Sequence, residues 1–162
     1  MFKLFQIIRS DQQWNTFHTL KCARFRPGSV VTPHGDLWIV GGTMEFLGTD
    51  ATDTTEIIEF DPHQPPTHWD QGPFLPEPLI GPCVVNINEQ ETAVIGGSAG
   101  GLAKTSIHVY NWHSKLWRMG PGLNLARSAH ACVKIKNPVG DRWTVIISGK
   151  KSSLNKTGHV EA

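Results

Sequence analysis

The stretch that decides the fold is Trp117–Cys132, with the sequence WRMGPGLNLARSAHAC. An earlier stretch, Trp69–Cys83, opens with Trp-Asp-Gln-Gly-Pro and closes on the same residue type. The two tryptophans lie 48 residues apart, and the two closing cysteines lie 49 residues apart. A weaker third copy begins at Trp14, which is followed ten residues later by an arginine, as in the first stretch. A fixed period of this size indicates an array of small units that bury their apolar faces against one another.

Each unit is predicted to contain four short strands. The runs are short, rich in Val and Ile, and separated by Asn, Gly, Pro and Ser, without a stretch of helical period. The predicted strands are Gly28–Val31, Leu37–Val40, Ile57–Phe60 and one around Trp69, then Val84–Ile87, Thr92–Ile95, Ser106–Tyr110 and Lys115–Arg118, then Ala131–Ile135 and Trp143–Gly149. The opening, Met1–Arg9, is predicted as a strand joined to the Trp14 strand, and His159–Ala162 match the start of a further third strand.

Glycine pairs end the second predicted strand of the two best copies. Gly41-Gly42 and Gly96-Gly97 lack side chains, so the backbone there can take positive φ and a neighbouring chain can approach closely. The stretch Gly96–Gly101 superficially resembles a phosphate-binding loop but lacks the Lys-Ser/Thr ending and a following helix. We therefore expect a flexible loop between the second and third strands.

This combination resembles the kelch repeat, whose signature is a Gly-Gly pair, an aromatic residue about a dozen positions on and a Trp about six later. The residues that match it are Gly96, Gly97, Tyr110 and Trp117 in one copy, and Gly41, Gly42, Phe60 and Trp69, with an enlarged loop after the pair, in the other. The stretch Gly120–Ala131, with Arg127 and His130, resembles the family's Pro-rich turn followed by Arg and His-Ala. The resemblance covers roughly residues 10–162.

The resemblance implies an all-β fold, a segment of a kelch-type β-propeller. Such propellers close about four to eight four-stranded blades into a ring. The expected division is a partial blade with its connecting turn at 1–27, full blades at 28–72 and 73–120, and an incomplete blade at 121–162. Because such an arc leaves strand edges open, we expect a fragment of a larger propeller, with self-association into a ring or a fragile free arc as the alternatives.

Composition gives no sign of a nucleic-acid or membrane partner. The formal net charge is +1, and Lys and Arg are scattered along the chain. No apolar run approaches the length that spans a bilayer. Three cysteines suit a reducing compartment, which favours the cytoplasm, better than a disulfide scaffold. Since packed sheets lie around 10 Å apart, Cys83 and Cys132 in successive blades are expected to be small buried apolar residues and not a bridge.

The loop from Thr43 to Thr55 is the one place where the sequence suggests a binding site. It is longer than its counterpart, and loops tend to carry binding residues on a rigid scaffold. In kelch propellers the loops between second and third strands share a face with the turns that enter the next blade. By resemblance, the candidate partner-binding residues are Met44, Phe46, Asp50 and Asp53 in the loop, with Arg24, Arg26, Asn124 and Arg127 in the turns. A mobile insertion without a partner is the alternative.

The roles of three residues in the turns are considered separately. Arg24 and Arg127 either tie the turn to a neighbouring blade or face a ligand in the central channel. His130, at the turn, is expected to make a structural hydrogen bond.

Two classes of function follow from the resemblance. Kelch propellers often serve as protein-interaction modules of the substrate-recognition or scaffold type, and this is the predicted function, without cofactor, metal or catalysis. The alternative is part of a galactose-oxidase-like or sialic-acid-epimerase-like kelch enzyme. A copper radical site of the first type needs tyrosines, a cross-linked Cys and His ligands, whereas Tyr110 is the only tyrosine in the chain.

Overall fold

The computed structural model describes residues 3–7, 14–60, 63, 68–136 and 143–151, and every regular element in this part of the chain is a β-strand. The strands are β1 (Lys3–Ile7), β2 (Trp14–Thr19), β3 (Gly28–Val31), β4 (Leu37–Val40), β5 (Thr55–Ile58), β6 (Asp70–Gln71), β7 (Cys83–Asn86), β8 (Glu91–Ile95), β9 (Ser98–Ala99), β10 (Leu102–Ala103), β11 (Ile107–Asn111), β12 (Leu116–Met119), β13 (Arg127–Lys136) and β14 (Trp143–Lys151).

Two four-stranded antiparallel sheets form the centre of the molecule. Blade I has the order β3-β4-β5-β6, and blade II has the order β7-β8-β11-β12. Two-stranded antiparallel sheets stand at either end of the chain, β1-β2 before blade I and β13-β14 after blade II. The all-β prediction of two full blades with partial blades at both ends is confirmed. The expected strand at the start of the chain, paired with the Trp14 strand, is present, whereas residues 159–162 lie outside the described part.

The first strands of successive sheets lie side by side. β3 contacts β7, and β7 contacts β13. The Asn86 side-chain amide in β7 donates a 2.8 Å hydrogen bond to the carbonyl of Val31 in β3. A Cβ placed on Gly28 would overlap the side chain of Val84, so β3 and β7 approach closely. The blades therefore fan outward from a shared set of inner strands.

Each hydrophobic core lies between two neighbouring sheets. Trp38 of blade I is fully buried and packs on Tyr110, Trp112 and Trp117 of blade II, with ring centroids 6.0, 5.1 and 6.1 Å away. A second core joins blade II to the β13-β14 pair, and its buried members are Ala93, Ile95, Val109, Leu123 and Ile147. Because neither sheet buries its apolar face alone, the stability of each blade depends on its contact with a neighbouring sheet.

Phe60 does not hold the aromatic position of its repeat. Tyr110 pairs across the sheet with Thr92, four residues before its glycine pair, and Ile58 pairs with Leu37, four residues before the earlier pair. Ile58 is buried and Phe60 is exposed beyond the end of β5. The prediction of a third strand over 57–60 was therefore two residues too late, because an isoleucine, and not an aromatic residue, fills this core position in blade I.

Cys83 and Cys132 form a disulfide, with their Cα atoms 5.9 Å apart. The prediction that they are separate buried residues was wrong. The expected spacing of about 10 Å holds between sheet faces, but these residues lie on β7 and β13, inner strands that are closer together. Both are half-buried, while Cys22 is a free thiol.

The segment after the second glycine pair is ordered into a small ribbon. β9 pairs with β10 around Gly100 and Gly101, whose φ angles are +55° and +78°. Two consecutive residues with positive φ form the tight turn that suits a two-residue hairpin loop. The expected loop between the second and third strands therefore contains a hairpin, with these glycines as its turn residues.

Candidate partner-binding site

The loops after the second strands and the turns between sheets meet on one face of the molecule. Phe25, in the turn before blade I, exchanges two backbone hydrogen bonds with Thr43, of 2.7 and 3.0 Å. Ile80, in the turn before blade II, does the same with Ser98, at 2.8 Å each. This arrangement places the Thr43–Thr55 loop, the β9-β10 ribbon and the inter-blade turns together.

Successive turns are also bonded to one another. The Gly81 amide donates to the Arg26 carbonyl over 2.8 Å, and the Ala129 amide donates to the Gly81 carbonyl over 2.9 Å. All three residues have positive φ, at 50°, 62° and 50°. The shared conformation turns each chain segment into an inner strand, so the turns form a continuous backbone rim on this face.

The Thr43–Thr55 loop has a firmly held base. The Thr52 amide donates to the Gly42 carbonyl over 2.9 Å, and the Leu79 amide of the following turn donates to the Thr52 carbonyl over 3.2 Å. The Leu75 amide donates to the Asp53 carbonyl over 2.8 Å. A loop bonded both to its own blade and to the next turn has a defined shape at its base.

The tip of this loop exposes large apolar side chains. Met44 is 59% exposed, Phe46 is 70% exposed and Leu47 is 87% exposed. The Phe46 ring lies edge-on to Phe25, with centroids 5.2 Å apart. The Arg26 guanidinium donates a 3.1 Å hydrogen bond to the Gly48 carbonyl, which connects the turn before blade I to the tip of the loop. Three exposed apolar side chains on one short loop are typical of a contact surface.

A shallow groove of about 440 Å³ runs beside the tip. Its lining residues are Phe25, Arg26, Phe46, Leu47, Gly48 and Thr49. Glu45, Asp50 and Asp53 are exposed on the same loop. Apolar side chains therefore line much of the groove, and three carboxylates lie on the loop that borders it.

Sequence reasoning missed three members of this surface. Phe74, in the turn before blade II, and Leu102, in the β9-β10 ribbon, are exposed on the same face. Phe25 is the ring on which Phe46 rests. Single apolar residues in turns carry little sequence signal, and the shared face emerges only from the topology. We call the exposed set Met44, Phe46, Leu47, Phe74 and Leu102 the loop face.

Arg24 is a buried structural residue. It is 2% exposed, and its guanidinium donates to the carbonyls of Gly41 and Thr54 over 3.0 and 2.9 Å and to the Glu56 carboxylate over 2.7 Å. Glu56 also accepts the backbone amides of Lys21 and Cys22. Of the two readings of Arg24, the structure supports the one that ties the turn to a blade.

Asn124 lies in the turn that leads into β13, and Arg127 is the first residue of that strand. Arg127 is fully buried, and its backbone bonds the β9-β10 ribbon through the Lys104 carbonyl and the Gly97 amide. Asn124 is exposed. The turn before blade II stands between this turn and the Thr43–Thr55 loop, so the structure groups Arg26 with Met44, Phe46, Asp50 and Asp53 and sets Asn124 apart.

Arg24 in the turn before blade I bonds β5, whereas a carboxylate in the turn before blade II contacts β11. His108 in β11 stands where Glu56 stands in β5, since each pairs with the residue two before its glycine pair. The Glu77 carboxylate, in the turn before blade II, accepts from the Ser106 hydroxyl, lies 2.8 Å from His108 Nε2 and lies 3.3 Å from Lys104 Nζ. Burial raises the pKa of Glu77, but the three hydrogen bonds together outweigh it, and the pKa lies below the usual 4.5.

The lowered pKa of Glu77 predicts a loss of stability in acid. Above the unfolded-state pKa of 4.5 the carboxylate is charged in both states, and its contacts contribute fully. As pH falls below 4.5 the unfolded chain binds the proton first, so this contribution declines and is lost below the folded pKa. Between pH 6 and about 3.5, the free energy of unfolding measured in urea should fall less steeply for Glu77→Gln than for the wild type. Glu45→Gln, in the exposed loop, is the control, and an unchanged slope in Glu77→Gln would contradict the prediction.

His130 does not make the expected structural hydrogen bond. Neither of its ring nitrogens has a hydrogen-bond partner among the described residues. The ring lies against Gly96, where a Cβ would come within 2.9 Å of it. Burial, and secondarily the charge of Arg127, lower the pKa of His130. The residue acts by packing over the glycine pair and not by hydrogen bonding.

A second depression, of about 810 Å³, opens on the opposite face. It is lined mainly by polar residues, among them Asn86, Asn88, Gln90 and Lys134. No group of three His, Cys, Asp or Glu side chains that could hold a metal ion occurs in the described residues. None of the residues predicted from the sequence as binding residues lines this depression.

Comparisons with known proteins agree with the repeat and the fold. No family model matches the chain. It is 32% identical over 120 residues to Kelch domain-containing protein 10 of Xenopus tropicalis, covering 65% of this chain and 28% of that protein. The same-named protein of Xenopus laevis is 32% identical over 139 residues, covering 75% and 32%. The solved structure of YjhT, a kelch-type propeller, matches with a TM-score of 0.67 and 14% identity, over 98% of this chain and 51% of that one.

Sheets that fan out from shared inner strands, with buried cores between them, define a segment of a β-propeller. With its glycine and tryptophan repeats and these relatives, the chain belongs to the kelch-repeat family. It spans about a third of the length of the curated relatives it matches. In the described part of the chain there is no helix of the length and apolarity needed to cross a membrane.

Proposed function

We propose that this chain is a protein-interaction module and that the loop face is its partner-binding surface. The observation that carries the proposal is the exposed apolar tip Met44–Leu47 on a loop whose base is hydrogen-bonded to its own blade and to the turn before blade II. Exposed apolar groups that are already held in place lose little conformational entropy when a partner covers them. The tip is therefore suited to bind.

The groove beside the tip suggests how a partner would dock. Phe25 and Phe46 provide aromatic walls, and Leu47 lies at the rim. Interfaces draw most of their energy from a few apolar anchors in desolvated pockets surrounded by polar groups. Here an apolar side chain of a protein partner would enter the groove, and Asp50 and Asp53 would contribute selectivity at the polar rim.

The enzyme alternative has no observation of its own in this part of the chain. Tyr110 is buried among Trp38, Trp112 and Trp117, and burial raises its pKa. Its ring is therefore part of the inter-blade core. The likeness to YjhT, at 14% identity, concerns the fold alone.

The test is a double substitution, Phe46→Asp with Leu47→Asp. We expect it to abolish capture of the partner by the immobilised chain, because two carboxylates would have to be desolvated at the contact. Since both side chains are exposed, the free energy of unfolding should change by less than about 1 kcal/mol. Affinity capture from tissue extract, quantified by mass spectrometry, and a urea melt give the two readouts.

Leu116→Asp is the matched control. Leu116 is 67% exposed, like Phe46, but lies on β12 at the outer edge of blade II. Capture that is retained by Leu116→Asp and lost in the loop variant supports the proposal. Capture of the same proteins by the loop variant would show that the loop face is not the binding surface.

A further inference from the structure

We propose that the Cys83–Cys132 disulfide is a reversible redox clamp between neighbouring blades. In the oxidised state it fixes the β13-β14 pair to blade II and holds one flank of the face that carries the turns. In the reduced state that flank is free to loosen. The clamp is a property of the fold, and it stands whether or not the loop face binds a partner.

The position of the bond makes it a connection between blades. Cys83 begins β7 and Cys132 lies in β13, so the bond joins the inner strands of two sheets and not two strands of one. Both residues are half-buried, so solvent reaches part of each residue. A disulfide buried in a core would be closed to exchange, whereas access to the sulfurs permits reduction and re-formation.

The bond lies close to the contacts between turns on the face that carries the Thr43–Thr55 loop. The segment that enters β13 is bonded to blade II by three backbone hydrogen bonds, in which Arg127 contacts Lys104 and Gly97, and Ala129 contacts Gly81. Cys132 follows three residues after Ala129. Its other contacts are in the small core with Ile147. Without the covalent bond this flank is attached to blade II by non-covalent contacts alone, among them these three hydrogen bonds, the packing of His130 on Gly96 and the small apolar cluster.

The chemistry of the clamp is ordinary thiol–disulfide exchange. A thiolate of a dithiol reductant attacks one sulfur of the bond, forms a mixed disulfide and releases the other sulfur as a thiolate. The second thiol of the reductant then displaces the remaining cysteine. The reductant leaves as a cyclic disulfide with two electrons lost, and the chain gains two electrons and two protons as two thiols. Oxidised dithiol reverses the sequence.

Hydrogen exchange on the full chain, with reduced or oxidised dithiothreitol, tests the clamp. Alkylation should label one cysteine in the oxidised chain, Cys22, and three in the reduced chain. We expect reduction to accelerate exchange at the Arg127 and Ala129 amides by roughly tenfold or more, because the opening of this flank is no longer resisted by a cross-link. The Gly42 amide donates to the Leu79 carbonyl, between blade I and the turn before blade II, and its exchange should change little.

Two sets of variants separate the outcomes. Cys22→Ser should keep the full redox response, and Cys83→Ser with Cys132→Ser should show the fast exchange under both conditions. Equal exchange at Arg127 and Ala129 in the oxidised and reduced wild type would overturn the proposal, as would three labelled cysteines after oxidation. The wild-type comparison decides the question even if the double variant fails to fold.

Discussion

Replacing Glu56 by glutamine is expected to lower the free energy of unfolding by about 3–5 kcal/mol. The Arg24 and Glu56 side chains are almost completely buried, and their charged atoms lie 2.7 Å apart. The neutral amide of the variant leaves the Arg24 guanidinium as an uncompensated buried charge. In the wild type the Lys21 and Cys22 amides both donate to the Glu56 carboxylate, whereas the glutamine amide would place its own donor next to them. Urea unfolding of the variant measures the loss.

Glu91→Gln is the control for this prediction. Glu91 pairs with Arg118 at 2.9 Å, but Arg118 is half-exposed on the outer strand. Pairs of this kind contribute only about 0–1 kcal/mol. Arg24→Met combined with Glu56→Leu should recover only part of the loss, because it removes both buried charges together but also takes the acceptor away from the Lys21 and Cys22 amides. Equal effects of Glu56→Gln and Glu91→Gln would contradict the structural role of the buried pair.

Gly96→Ala is expected to destabilise the chain by about 2–5 kcal/mol. Gly96 has a φ of +57°, a conformation that costs a residue with a Cβ about 1–2 kcal/mol. The added Cβ would also lie 2.6 Å from the Arg127 carbonyl and 2.9 Å from the His130 ring. Overpacking of this kind adds about 1–3 kcal/mol.

Gly100→Ala separates the two contributions. Gly100 has a similar φ of +55°, but an added Cβ would meet nothing within 4 Å. Its loss should therefore be limited to the conformational part, about 1–2 kcal/mol. Urea midpoints of the two variants give the difference, and a Gly96→Ala loss no larger than that of Gly100→Ala would show that the turn does not press on the glycine pair.

The repeat made the fold predictable, because period, glycine pairs and tryptophans are local signals that recur. β3 and β4 have the predicted bounds, and Trp38 and Trp117 meet in the core between blades. The errors came from features that depend on the third dimension. The disulfide depends on how closely inner strands approach, which a mean sheet spacing does not give.

The candidate site was only partly predictable. The enlarged loop predicted Met44 and Phe46 as binding residues, and both side chains are exposed. The burial of Arg24 was not predictable, because its partner Glu56 lies 32 residues away and no spacing rule connects them. Its exclusion from the surface follows from the buried carboxylate and the carbonyl acceptors around it.

Site-specific photo-crosslinking tests most directly the claim that the loop face binds a protein. A photoreactive amino acid would replace Leu47 in one sample and Leu116 in another, two exposed leucines on different parts of the surface. We expect a discrete cross-linked protein from position 47 that is absent from position 116 and that is displaced by excess unlabelled chain. No discrete product at 47, or the same products at both positions, would contradict a binding function for the loop face.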